Sequence, residues 1–358
     1  MPSAATYKCP RCGAPLAFSS KTQSWSCAFC LGDFSLEELE AMDIPGEQEA
    51  DAASPEPEAD GADPARQKLL EYRCPSCGAQ VITEADTAAT FCAFCQSPAI
   101  LTERLSGEFR PAKLIPFRLS REDAKAALKA LCRRKPLLPG DFVRENHIEK
   151  LTGVYAPYWL FDCSLSAGET GEGTRVTCWS DSTYRYTKTD YYRVVREGNL
   201  RFEKVPADGS SRLDDQLMDA LEPYDYGELR EFSMPYLSGY QAQRYDRDAD
   251  AVFPRVLERM QNYSHQLLEE TISGYATYRE TGRRADADHV SSSYTLLPVW
   301  LLSTRYKGEE YLFAMNGQTG KTAGKLPVSP LRAFLWGAGT ALAAAALALI
   351  GGILLWWF

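Results

Sequence analysis

Two copies of one cysteine pattern constrain this chain more than anything else in it. Cys9-Pro10-Arg11-Cys12 is followed, after fourteen intervening residues, by Cys27-Ala28-Phe29-Cys30. Cys74-Pro75-Ser76-Cys77 is followed at the same interval by Cys92-Ala93-Phe94-Cys95, so the second quartet is the first displaced by 65 positions. The flanks repeat as well: Tyr7 matches Tyr72, and Gly13-Ala14 matches Gly78-Ala79. Each C-x-x-C presents two thiolates from one turn, and two such turns close a tetrahedral sulfur shell around one Zn²⁺. The pattern predicts two zinc ribbons and two structural Zn²⁺ ions. The ligands are Cys9, Cys12, Cys27 and Cys30, then Cys74, Cys77, Cys92 and Cys95. Thiolate fills all four positions of each shell and leaves none for water or substrate. Segments this short cannot fold on an apolar core alone, so metal binding supplies the folding energy.

The alternative is two disulfides per quartet. That requires an oxidising compartment, and nothing near Met1 reads as a secretory signal peptide. A redox C-x-x-C would need no second pair.

The other end of the chain is equally informative. Ala333 to Phe358 is an uncharged run of 26 residues, longer than the roughly 20 that span a bilayer as a helix. Lys321, Lys325 and Arg332 precede it. By the positive-inside rule, the bulk of the chain is expected in the cytoplasm, and reduced cysteines ask for the same side. The expectation is a single-pass, tail-anchored protein of the cell membrane, with Trp356, Trp357 and Phe358 at the far interface. Thr340, Ala344, Ala348 and Gly352 recur every four residues, a small face that suits homo-association of spans.

Composition divides the rest. Residues 1–35 form the first ribbon, and 36–67 read as a flexible acidic linker. Residues 41–65 carry eight acids, no base and no aromatic, too little apolar surface to fold. Residues 68–105 form the second ribbon, 106–330 a body of ordinary domain size, and 331–358 the span.

The body reads as α+β with an antiparallel sheet. Leu114–Phe117 is a short strand; Ser120 caps a helix with Ala124, Ala127, Leu128 and Leu131 on one face. Val154–Leu165 is a strand, with further strands at Arg175–Thr177 and Tyr184–Arg196. Asp214–Leu221 and Ala251–Ile272 are helical, and Thr295–Thr304, Glu310–Ala314 and Lys321–Leu326 form a closing meander. Pro157-Tyr158-Trp159-Leu160 is echoed by Pro298-Val299-Trp300-Leu301, as two related half-domains would produce. Both Trp residues read as core.

Several segments imitate catalytic motifs. Gly317-Gln318-Thr319-Gly320-Lys321-Thr322 lacks the first glycine of a phosphate loop, Met315 standing there, and no helix opens at the lysine. Asn316-Gly317 reads instead as a hairpin turn of positive φ. Gly168, Gly171 and Gly173 read as a loose turn between strands. His147, His265 and His289 share no motif and read as surface or capped residues; Cys132, Cys163 and Cys178 read as small apolar core residues or as unremarkable thiols. No nucleophile, base and orienting group can be assembled, so the chain is not expected to be an enzyme.

Nucleic acid is the main rival partner. Ribbon one carries Lys8, Arg11 and Lys21 against Asp33, and ribbon two carries three bases against four acids. Neither is a phosphate-neutralising stripe, and the chain as a whole is at −9. Trp25, Phe29 and Phe94 are the aromatics that could stack on bases. Protein docking is the favoured reading.

The stretch YKCPRCGAPLAFSSKTQSWSCAFCLGDFSLEEL resembles the bacterial TFIIB-type zinc-ribbon membrane proteins, often labelled primosomal helicase-like. LLPVWLLSTRYKGEEYLFAMNGQTGKTAGKLP, followed by an apolar span, looks like the membrane-proximal end of the same family. The resemblance implies a partner of SPFH/band-7 membrane scaffolds, in systems that bring an ESCRT-like protein to stressed membrane. It does not support a helicase, since no Walker motif is present. The expected function is a tail-anchored adaptor whose ribbons, partly freed by the linker, dock a protein scaffold. The alternative is a nucleic-acid-binding protein of replication or transcription.

Overall fold

The computed structural model describes residues 4–42, 69–139, 142, 151–306 and 308–357. Most of the acidic stretch, and His147, lie outside the described residues. The chain is β-rich, with two four-cysteine clusters, an α+β body built on a mixed but mainly antiparallel sheet, and one long apolar C-terminal helix.

The chain opens with β1 (Ala4–Ala5). The first ribbon adds β2 (Ala17–Ser19), β3 (Ser24–Ser26) and β4 (Asp33–Phe34), an antiparallel meander. Helix α1 (Leu36–Glu40) follows, held by a Ser35–Glu38 capping box, so the start of the expected linker is helical. In the second ribbon, β5 (Leu69–Arg73) pairs β6 (Gln80–Glu84), and β7 (Thr87–Phe91) pairs β8 (Pro98–Leu101).

After β9 (Lys113–Leu114) comes α2 (Arg121–Arg133), where Ser120 is the cap read from the sequence and Asp123 completes a capping box with it. The helix buries Ala124, Leu128 and Cys132, three of four successive turns on one face. Then come β10 (Thr152–Ser180), β11 (Arg185–Asp208), α3 (Asp215–Asp219), β12 (Arg230–Glu231) and β13 (Gln241–Gln243). Helix α4 (Ala249–Glu270) leads into β14 (Thr277–Tyr306), β15 (Glu309–Asn316), β16 (Thr322–Gly324) and α5 (Pro330–Trp357).

Three strands dominate. β10, β11 and β14 run for 29, 24 and 30 residues, with β10 in the middle and antiparallel to both. The pieces expected at 154–165, 175–177 and 184–196 are therefore parts of two long strands. Gly168, Gly171 and Gly173 lie inside β10, not in a turn. They make room for side chains of β14 and the loop before it: a Cβ on Gly168 would meet Arg284 at 2.8 Å, one on Gly171 the ring of Tyr278 at 2.4 Å, and one on Gly173 the ring of Tyr275 at 2.5 Å. The proximal half of the arm is covered by α4, whose Val252, Val256 and Met260 pack on Phe161, Cys163 and Leu165.

The two echoing segments are antiparallel neighbours: Val154 faces Val299 and Tyr155 faces Pro298. Each echo tryptophan donates its indole N–H to a backbone carbonyl, Trp159 to Arg247 at 3.0 Å and Trp300 to Leu119 at 3.2 Å. At the base of β11, the fully buried Asp208 is held between Arg247 and Arg255, each at 2.8 Å.

The ribbons are not loosely tethered, and that expectation is corrected. Phe18 and Trp25 of ribbon one sit in the main core, 5.3 and 5.1 Å from the ring of Tyr236. Ribbon two joins the body sheet itself: Ala89 in β7 pairs Ala242 in β13. On its other side, Ala5 of β1 pairs Ile100 of β8. A ribbon too small to bury its own apolar face does so against a neighbour.

Candidate metal centres

Each metal knuckle is built by the same short-range geometry. The Cys9 N–H donates to the Ala14 carbonyl at 2.7 Å, and the Gly13 N–H returns to the Cys9 carbonyl at 2.8 Å. Cys74 repeats this with Ala79 and Gly78 at 2.8 and 2.9 Å. Cys27 does so with Gly32 and Leu31, and Cys92 with Ser97 and Gln96, all at 2.9 Å. The turn needs a residue of positive φ just after the second cysteine. Gly13 and Gly78 supply it at 73° and 74°, whereas Leu31 and Gln96 adopt it at 55° and 59°.

The four turns bring the eight predicted cysteines into two clusters, within each of which the sulfurs all lie inside 4.8 Å of one another. Cys9 and Cys30 are 3.5 Å apart, as are Cys12 and Cys27. Cys74 and Cys95 are 3.7 Å apart, and Cys77 and Cys92 are 3.8 Å apart. A tetrahedral shell with Zn–S of about 2.3 Å puts its sulfurs about 3.8 Å apart. A disulfide needs about 2.05 Å, so the clusters have the spacing of four-sulfur metal shells and not of bridges. The donor set fits Zn²⁺, which each quartet would hold as a closed structural centre.

Burial alternates the same way in both. Cys9, Cys27, Cys74 and Cys92 are buried, while Cys12, Cys30, Cys77 and Cys95 are exposed. The first cysteine of every knuckle thus faces the ribbon core and the second faces outward. The backbone N–H groups of Cys30 and Phe29 hold the Cys27 thiol down to about 6, whereas at Cys12 the lowering effect of the Ala14 N–H is opposed by the Cys27 sulfur beside it, which pushes Cys12 up.

The knuckle tips differ from the core aromatics. Trp25 is buried and donates to the Pro235 carbonyl at 2.8 Å, which removes it as a stacking platform. Phe29 and Phe94 occupy the same tip position 65 residues apart and are 78% and 72% exposed. A cleft of about 600 Å³ lies where Phe18–Lys21 of ribbon one, Gln96 of ribbon two and Trp300 of the body meet.

Other singled-out residues fall elsewhere. Cys132 and Cys163 are core thiols, whereas Cys178 is an exposed thiol on the arm. His265 is buried on α4, not at the surface. Asn316 is fully buried, accepting from the N–H groups of Gln318 and Thr319 and donating to the Leu221 and Pro223 carbonyls. The positive φ of that turn is at Gly320, at 79°, not at Asn316 or Gly317. Gly317 is there because a Cβ would meet the Phe117 ring at 2.7 Å.

Helix α5 contains the one candidate span among the described residues, Pro330–Gly352, with mean hydropathy 1.9 and nothing packed over it. The Ser329 N–H donates to the Leu137 carbonyl, and the Arg332 guanidinium to that of Leu138 at 2.5 Å, so the base of the span is tied to the body. The aromatic anchor expected at Trp356, Trp357 and Phe358 falls outside the described side chains.

One relative matches this chain over nearly its full length. The chain is 38% identical over 336 residues to the uncharacterized Bacillus subtilis (strain 168) protein YdjG, covering 94% of each. The chain belongs to the YdjG family. No family model and no solved structure matches it. The YdjG-family alignment is long enough to take in the whole second quartet and at least Cys27 and Cys30 of the first.

Proposed function

We propose that the protein is a tail-anchored zinc-ribbon adaptor that docks a protein scaffold at the cytoplasmic face of the cell membrane. The scaffold class is SPFH/band-7, with an ESCRT-like protein recruited alongside, as the resemblance to TFIIB-type ribbon proteins implies. The observation that carries the reading is the pair Phe29 and Phe94, two large aromatic tips left exposed at equivalent positions. Solvent-facing aromatics on rigid, metal-stapled turns are suited to anchor in a partner's pocket.

Helix α5 would fix the docking module at the bilayer and raise its effective concentration there. Closed four-sulfur shells serve shape and not reaction chemistry. The ribbons carry no basic stripe, so nucleic acid is the less favoured partner.

The test is affinity purification from solubilised membranes, comparing the full chain with a Phe29→Ser/Phe94→Ser variant. A band-7 scaffold captured by the full chain and lost from a variant that keeps both zinc ions supports docking through the tips. Equal capture by both forms, or capture of nucleic acid in place of the scaffold, overturns it. Deleting 333–358 should release protein and scaffold to the soluble fraction together.

A further inference from the structure

Beyond Arg196, whose guanidinium meets the Thr271 hydroxyl at 3.1 Å just past the end of α4, no helix covers the three-stranded arm among the described residues. The uncovered end is chemically unlike the rest of the chain. Residues 174–196 hold five bases (Arg175, Arg185, Lys188, Arg193 and Arg196) against Asp181 and Asp190, a net +3 on a chain of −9. Its two acids are engaged. Asp181 accepts from the Thr183 and Tyr184 N–H groups and the Tyr186 hydroxyl, and Asp190 pairs Lys188 at 3.0 Å.

Aromatic side chains crowd the same end. Trp179 stacks on Tyr186 at 5.5 Å, and Arg175 lies between the rings of Tyr192 and Tyr275 at 5.1 and 5.3 Å. Register decides how they are displayed. The pairs Trp179–Tyr186 and Gly173–Tyr192 lie on one face of the sheet, while Thr174–Tyr191 and Thr170–Val195 lie on the other. Tyr184 sits in the connecting turn. Exposed aromatic and branched side chains therefore occupy both faces and the end of the arm, with Tyr191 at 76% and Tyr184 at 64% exposure.

A protein groove or a stacked nucleic-acid strand would engage one face of a sheet. A lipid interface engages all sides of what enters it. Trp and Tyr belong at headgroup level, and arginines beside them meet anionic headgroups. The strand edges fix the depth. Among the described residues, β11, and β14 over residues 277–290, pair only with β10 there, so their outward N–H and C=O groups still need water. From these observations we infer that the arm tip, Arg175 to Arg196, is a binding surface for the headgroup region of an anionic lipid bilayer.

The tip is at the opposite end of β10 from α5. Thr152, at the base, pairs Leu301 of β14; Leu138 holds Arg332 of α5, and Phe142 just beyond it packs on Tyr311 of β15 at that same end of the sheet. Ser180, at the tip, is 28 residues further on, about 90 Å along a strand at ~3.3 Å per residue. The bilayer contacted is either the one that α5 enters, with the arm laid along it, or a separate one, and the experiment has an arm for each.

Trp179 is the reporter, read as the fluorescence of the full chain minus that of its Trp179→Phe variant. In one arm the full chain is reconstituted into vesicles containing brominated phosphatidylglycerol. In the other it is held in amphipol and mixed with separate brominated vesicles, which reads the tip without using α5. Quenching of the Trp179 signal by about twofold in either arm, lost with Arg185→Glu/Arg193→Glu, is the expected result. Three results overturn the proposal: no quenching in both arms, equal quenching by brominated phosphatidylcholine alone, or a response of Trp179 to a single-stranded thymidine oligonucleotide and not to vesicles.

Discussion

The indole N–H of Trp25 meets the carbonyl of Pro235 at 2.8 Å, across 210 positions of sequence. This bond, with the rings of Phe18 and Tyr236 around it, fastens the first zinc ribbon to the body. Trp25→Phe removes the donor together with the pyrrole part of the ring and should cost at least about 1–3 kcal/mol, because a buried carbonyl loses its partner. Trp25→Ala adds a cavity and should cost about 3–5 kcal/mol. Urea unfolding gives both values; a Trp25→Phe variant as stable as the parent would show that the bond contributes nothing.

Zinc content separates the two centres. Cys27→Ser and Cys92→Ser should each lower the metal from two ions to one. Cys27 belongs to the main core cluster, whereas Cys92 belongs to a smaller one with Tyr72 and Val81. The Cys27 variant should therefore lower the melting temperature of the whole body more than the Cys92 variant does. Elemental analysis with calorimetry checks both statements.

Gly171 marks a close approach and not a turn. Gly171→Val forces a side chain into the space taken by Tyr278, whose hydroxyl donates to Glu169 at 2.6 Å. The expected outcome is faster hydrogen exchange in 168–176 and 277–282, with exchange around Tyr155 unchanged. Uniform acceleration across the body would mean that the arm and the core unfold together.

The α2 cap titrates. The Ser120 hydroxyl and backbone N–H hold the Asp123 carboxyl below its ordinary range. A carboxyl lowered by folding stabilises above its unfolded value, and that contribution fades as pH falls through the lower folded value. Asp123→Ala should cost about 0.5 kcal/mol at neutral pH, since it removes the exposed N3 half of the capping box. The difference from the parent should shrink as the pH is brought down past the carboxylate range; a pH-independent difference would place the effect in packing.

Span association is testable apart from docking. Ala344→Leu/Ala348→Leu fills the small face of α5 and should abolish self-association in a membrane dimer assay, if that face brings two helices together. Association of the variant equal to the parent would exclude it.

The cysteine clusters and α5 are legible in the sequence because each is a local pattern: a fixed spacing, and an unbroken uncharged run. The Ser120 cap is legible for the same reason. The arm is not, because strict alternation is broken. Gly168, Gly171 and Gly173 interrupt β10, and bulges shift the β10–β14 register near Asp162 and Thr170. Exposed tyrosines on both faces remove the inside–outside contrast as well. Docking of the ribbons depends on Tyr236 and Ala242, far along the chain, which no local spacing announces. Gly317 illustrates the limit at one residue: its identity is legible, but the reason for it is the ring of Phe117.

The order of synthesis gives the ribbon contacts a further meaning. Ribbon one leaves the ribosome about 200 residues ahead of Pro235 and Tyr236, and β10 about 120 ahead of its partner β14. Through that interval a metal can close each sulfur shell, but Phe18, Trp25 and one edge of β10 stay uncovered. Zinc loading is then an early, local event, while burial of the ribbon faces waits for the last third of the chain. A nascent chain stalled before β14 would be metallated and still sticky, the state most in need of a chaperone.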